Sequence, residues 1–298
     1  MTFPFRPLTT AAFTVMAILA PLRAAPPESW QLVFSDEFDG DTLDRTKWST
    51  TMGFIGTHGP RYHNEYYLSY TMDDEVVVGE GMLQLRTDRR TVEGAEKPGT
   101  FNYTQGLITS ADKFAFTHGL VEIRAKYPSG AGLWPCLWLM PQHQSWPPEF
   151  DIAEYYAGQK TMHHGLAHGG LYNSSWDSLW DKVTDFESDW HVYALEWTPG
   201  RAVWFIDGVP RKEIVADYVP DTPMYLILSN SISSIFGPSG EPDEKTVFPN
   251  AFAIDYVRVY QPGMPVAKGP EPVVVAALVA EPATKVVAEI LEQAAPVP

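Results

Sequence analysis

The segment Trp146-Pro-Pro-Glu149-Phe-Asp151-Ile-Ala-Glu154-Tyr-Tyr156 constrains this chain more than any other. Pro147 and Pro148 oppose a helix upstream, and the aromatic and β-branched residues that follow predict a strand over 149–156. On a regular strand Glu149 and Asp151 share a face, and Glu154 points to the opposite one. A β-bulge within Ile152-Ala153 inserts one extra residue and returns Glu154 to the face of the other two acids; bulges concentrate beside active sites. The two glutamates then stand four strand steps apart, roughly 13 Å between Cα atoms at about 3.3 Å per step. Side chains leaning toward each other shorten this to about 5 Å between carboxyl groups, the separation of a retaining glycosidase and not the roughly 6.5–9.5 Å of an inverting one. A helix fails the same test, because it would turn residues 149 and 154 about 140° apart. Like charges crowded on one face destabilise an ordinary strand, so the arrangement points to chemistry.

Just upstream, Gly132-Leu-Trp134-Pro-Cys136-Leu-Trp138-Leu-Met140 adds aromatic surface. Trp134, Trp138 and Trp146 flank the acids and are candidates for stacking on sugar, since the C–H face of a pyranose suits an aromatic plane. Together, Glu149-x-Asp151-x-x-Glu154 and the preceding Gly-x-Trp-Pro-x-x-Trp resemble the bulged active-site signature of glycoside hydrolase family 16. The resemblance extends over Trp30 to Gly40, His63-Asn64-Glu65-Tyr66-Tyr67, Trp190 to Pro199, Ile206-Asp207-Gly208 and Ile254 to Tyr260, covering about residues 28–262. It implies an all-β fold, a jelly-roll β-sandwich with a carbohydrate cleft across its concave sheet. It also implies Glu149 as nucleophile, Glu154 as general acid and then base, and Asp151 as their assistant. Asn64 and Glu65 are implied as sugar contacts on the non-reducing side of the cut, and His168 on the leaving-group side. A structural calcium ion, with Glu37, Gly81 and Asp255 at the matching positions, is a further implication; no cofactor is expected for catalysis.

The residues support an all-β fold independently. Leu83–Thr87, Leu120–Lys126 and Ala202–Ile206 alternate or are β-branched, and Asp207-Gly208 is a hairpin signal between two such runs. Gly and Pro punctuate the body, which shows no long helical period and no internal repeat. A chain of 298 residues with 45% hydrophobic content can bury one large core. Residues 1–25 combine Arg6, the apolar run Ala11–Ala20 and the small pair Ala24-Ala25, an order that predicts a signal peptide and secretion. The catalytic domain is then expected over 26–262, and a Pro/Ala/Val-rich, disordered tail over 263–298. The lone Cys136 cannot form an intramolecular disulfide and is expected to pack as a small apolar residue behind the cleft.

A formal net charge of −16 repels nucleic acid and anionic membranes, and favours a neutral glucan over sulfated polymers. No stable membrane span is expected in the mature chain, and a monomer is expected. His163-His164-x-x-x-His168 lacks a good ligand spacing for zinc on a strand or a helix. Two departures from the family pattern weaken strict β-1,3 recognition: Leu107 follows Tyr103-Thr-Gln-Gly106, and Leu226 to Ser234 replaces a more apolar strand. Asn102-Tyr-Thr104 and Asn173-Ser-Ser175 are glycosylation sequons, relevant only in a eukaryotic secretory pathway. The expected activity is endo-hydrolysis of a β-1,3- or mixed β-1,3(4)-glucan. A transglycosylase using the same covalent intermediate, a hydrolase of another polysaccharide and a non-catalytic glucan-binding protein are the alternatives.

Overall fold

Period-two alternation along the chain resolves into two large, mostly antiparallel sheets packed face to face. The structure, a computed structural model, describes residues 26–52, 60–62, 64–95, 98–143, 145–170, 173–182, 185–234 and 239–263. The expected leader and nearly all of the expected tail lie outside the described residues. Among the described residues the larger sheet has ten strands; its main path runs Val209–Val215, Arg201–Ile206, His191–Thr198, Gly119–Lys126, Asn250–Pro262, Met82–Asp88, Tyr103–Gln105 and Ser69–Thr71. The smaller has six, in the order Ser175–Asp181, Thr161–His168, Glu149–Tyr156, Leu133–Pro141, Met224–Ile232 and Leu107–Thr109. The hairpin expected at Asp207-Gly208 joins Arg201–Ile206 to Val209–Val215, with both turn residues at positive φ, 52° and 77°.

The inner faces meet in one apolar core. Leu133, Leu137, Leu139, Leu226 and Leu228 of the six-stranded sheet belong to the same buried cluster as Val121, Ile123, Trp197, Trp204 and Val257 of the other. Each fully buried side chain of this kind stabilises the sandwich by roughly 1.5–3 kcal/mol. A second cluster covers the outer face of the six-stranded sheet: Trp134, Cys136, Trp138 and Met140 from one strand, Tyr225 and Ile227 from the next, and Tyr62, Tyr67 and Tyr70 from the segment that folds over them. Alternate residues of Leu133–Pro141 thus serve the core and the outer face. This outer cluster forms the floor of the site. Among the described residues, no helix is long and apolar enough to cross a membrane.

Candidate active site

The strand Glu149–Tyr156 has the bounds expected from the sequence, and its burial records the bulge directly. Phe150 and Ile152 lie in the inter-sheet core, and so do Ala153, Tyr155 and Ala157. Facing parity therefore inverts between residues 152 and 153. The pairing shows the same extra residue. Asp151 and Glu154 sit opposite Gly165 and His163 on one side, and Ala153 and Asp151 sit opposite the adjacent Leu137 and Trp138 on the other. Glu149, Asp151 and Glu154 consequently share the outer face.

Three consecutive carbonyls through the bulge each accept a hydrogen bond from a core side chain. Trp204 Nε1 donates to the Asp151 carbonyl at 2.8 Å, His164 Nδ1 to that of Ile152 at 2.6 Å, and Tyr127 OH to that of Ala153 at 2.8 Å. Trp204 and Tyr127 belong to the opposite sheet and its margin, and His164 to the neighbouring strand. Burial pushes His164 down to about 4, so it is neutral near pH 7 and carries its proton on Nδ1. The distortion is held from behind by the assembled sandwich.

On the outer face, Glu154 is fixed by several donors. Trp134 Nε1 reaches Oε1 at 2.8 Å, and Tyr156 OH and His163 Nδ1 each reach Oε2 at 2.8 Å. Cys136 Sγ is 3.7 Å from Oε1. The thiol therefore packs on the cleft side, among the tryptophans, and not behind the cleft as expected; its even-numbered position on Leu133–Pro141 puts it on the face of Trp134 and Trp138. Glu149 accepts from Trp146 Nε1 at 2.6 Å. Burial, and then the charges of Asp151 and Glu154, raise the Glu149 carboxyl well above its ordinary value. Burial and the charge of Glu154 likewise lift Asp151 to about 6. Two close, desolvated carboxyls on one strand face resist ionising together, so the Glu149–Asp151 pair holds a proton more strongly than two free carboxyls would.

His163 supplies the compensating charge. Burial opposes its protonation, but hydrogen bonds that its ring donates to Asp151 and Glu154 outweigh this and push it up to about 10. Its Nδ1 lies 3.3 Å from Asp151 Oδ2, and its Nε2 is 2.9 Å from Ser178 Oγ. The ring lies across Gly165, where an added Cβ would meet His163 Cε1 at 2.5 Å. Among the described residues, Asp151, Glu154 and His163 also form a group whose ligand-type atoms lie within 4.8 Å of one another. The contacts of His163 Nδ1 with both carboxyls account for that proximity.

The remaining expected residues are placed as follows. Trp134 stacks on Tyr67 with ring centroids 4.9 Å apart, and Trp138 is buried on the same face. Asn64 Oδ1 accepts from the Tyr66 backbone N–H, and Ser234 anchors the carbonyls of Glu65 and Tyr66. The Asn64–Tyr67 segment is thereby docked beside Met224–Ile232, on the opposite side of the catalytic strand from Thr161–His168. His168 is set apart from the acids. It has the parity of the core-facing Met162 and Leu166, and its ring stacks on Tyr218 at 3.9 Å beside a cavity of about 360 Å³. At the positions matched to calcium, both acids pair with arginines. Arg258 pairs with Glu37 at 2.9 and 2.6 Å, and Arg124 pairs with Asp255 at 2.6 Å. Gly81 lies in the turn before Met82–Asp88. A guanidinium already pairs with each acid, so a cation at these positions would rest chiefly on the backbone oxygens that the resemblance implies as ligands.

Paired carboxyls on a bulged strand, set in an aromatic floor on a β-sandwich, define a glycoside hydrolase. The chain belongs to glycosyl hydrolases family 16, whose family model matches residues 63–245. It is 32% identical over 258 residues to a β-glucanase of Rhodothermus marinus, covering 78% of this chain and 85% of that protein. It is 28% identical over 257 residues to glucan endo-1,3-beta-glucosidase A1 of Niallia circulans, covering 77% of this chain and 38% of that one. Among solved structures it resembles the catalytic domain of an endo-1,3-beta-glucanase (laminarinase) from Thermotoga petrophila, with a TM-score of 0.67 and 31% identity over 78% of this chain and 98% of that one.

Proposed function

We propose that this protein hydrolyses a neutral β-1,3- or mixed β-1,3(4)-glucan at internal linkages, with retention of anomeric configuration. The observation that carries this reading is the parity inversion that gathers Glu149, Asp151 and Glu154 on one aromatic-floored face. Glu149 attacks the anomeric carbon as the bond to the departing oxygen breaks, and Glu154 delivers a proton to that oxygen. Glu154 then takes a proton from water, whose oxygen displaces Glu149 from the anomeric carbon. Trp146 holds Glu149 in line, while the hydrogen bonds from Trp134 and Tyr156 fix the orientation of Glu154. The imidazolium of His163, 2.8 Å from Glu154, compensates the negative charge that Glu154 carries after its proton has left with the departing oxygen, while Glu149 loses its own charge in forming the covalent bond. The names of the similar glucanases and the net charge of −16 support a neutral glucan as substrate.

The test is to incubate the protein with laminarin, lichenan, agarose and carrageenan, size the products, and follow the first-formed anomer by NMR. A β-anomer appearing first from a glucan, with turnover abolished in Glu149→Gln and Glu154→Gln, is the expected result. An α-anomer first, or wild-type turnover by either variant, refutes the assignment.

A further inference from the structure

We propose that Trp176 and Trp180, on the edge strand Ser175–Asp181, form a binding platform for the sugar units on the leaving-group side of the cut. The inference deepens the hydrolase reading and rests on it. Odd-numbered residues of this strand face the ten-stranded sheet, where Asp177 pairs with Lys212 and Asp181 with Arg211. Trp176, Ser178 and Trp180 therefore face the cleft, in continuity with the face that carries the acids. Both indoles are large and open to solvent, 44% and 51% exposed. They flank His163, with ring centroids 5.6 and 4.6 Å from its own, and Trp180 also lies 5.1 Å from Tyr156.

His163 and Tyr156 are the two side chains that hold Glu154 Oε2. The platform thus begins one strand beyond the proton donor, on the side opposite the Asn64–Tyr67 segment. A glucan chain crossing the strands of this sheet meets the two indoles after it passes Glu154. An indole face and the C–H face of a pyranose make a complementary apolar contact, and a partly desolvated tryptophan pair gains by covering it.

The experiment compares Trp176→Ala, Trp180→Ala and the double variant on two substrates. One is a β-1,3-glucan hexasaccharide, which places sugars on both sides of the cut; the other is an aryl β-glycoside of a β-1,3-glucan trisaccharide, which leaves the far side without sugar. The expected result is a KM for the hexasaccharide raised about tenfold in the double variant, with kcat and KM for the aryl substrate unchanged. Equal losses on both substrates would show that the indoles act by positioning His163, and would overturn the platform. No loss on either would overturn it too. Binding of the same hexasaccharide to Glu149→Gln, with and without the two tryptophans, scores the platform without turnover. Failure of the hydrolase reading would appear separately, as a wild-type protein that cleaves neither substrate.

Discussion

Replacing Tyr127 by Phe removes one hydroxyl from the back of the catalytic bulge and touches nothing on the cleft face. Burial pushes the Tyr127 phenol well above its usual range, so it stays protonated and donates to the Ala153 carbonyl. The ring cannot follow the loss of this bond. It is 2% exposed and held edge-on by Tyr155 and Tyr193, at 5.4 and 5.0 Å, with Phe252 at 4.4 Å. A buried carbonyl deprived of its donor costs about 1–3 kcal/mol. In a domain of this size each kcal/mol lowers Tm by roughly 2–4 °C, so a fall of about 2–12 °C is expected in a thermal melt. Whatever part of the strain is relieved by movement of the bulge displaces Glu154 relative to Glu149. Since 1 kcal/mol at the barrier is about fivefold in rate, kcat on a soluble glucan should fall about fivefold to tenfold with KM nearly constant. A variant whose Tm and kcat both match wild type would refute the claim that the opposite sheet holds the bulge. A change confined to KM would refute it as well.

Two further outcomes follow from His163. Its pKa is raised from 6.5 to about 10, so the stability it contributes is fully present below about pH 6.5 and is lost as pH rises through about 10. Thermal melts from pH 6 to pH 10 should therefore fall more steeply for wild type than for His163→Asn, and parallel curves would contradict the ion-paired imidazolium. Gly165→Ala places a Cβ against the His163 ring and should lower kcat by displacing it. Combined with His163→Asn in a double-mutant cycle, it should add little further loss, whereas full additivity would mean that Gly165 matters for another reason.

The local signals were legible because they depend on neighbours in sequence. Proline at 147 and 148, an odd spacing between acids that must share a face, and Asp207-Gly208 sufficed to predict the bulged strand, the shared face of the acids and one hairpin. The jelly-roll sandwich and the roles of the acids came from the family resemblance. The side chains that support the bulge were not legible. Trp204 and Tyr127 meet it across the core from positions 53 and 26 residues away, and nothing local marks a buried tryptophan as a donor to a particular carbonyl. His163 was read only within a histidine run with poor spacing for zinc, although strand pairing sets it directly opposite Glu154. Cys136 and His168 were misplaced for a related reason. Which face an alternating strand turns inward is fixed by its partners: Cys136 shares the face of Trp134, and His168 that of Met162 and Leu166.

The support from Trp204 and Tyr127 ties competence to the docking of the two sheets. Until the two sheets dock, the bulge lacks two of its three supporting donors and keeps only His164, so the shared face of residues 149 and 154 is weakly held. A newly made chain is therefore inert toward polysaccharide wherever it has not yet closed its core. Activity, assayed during refolding, should emerge together with burial of Trp204.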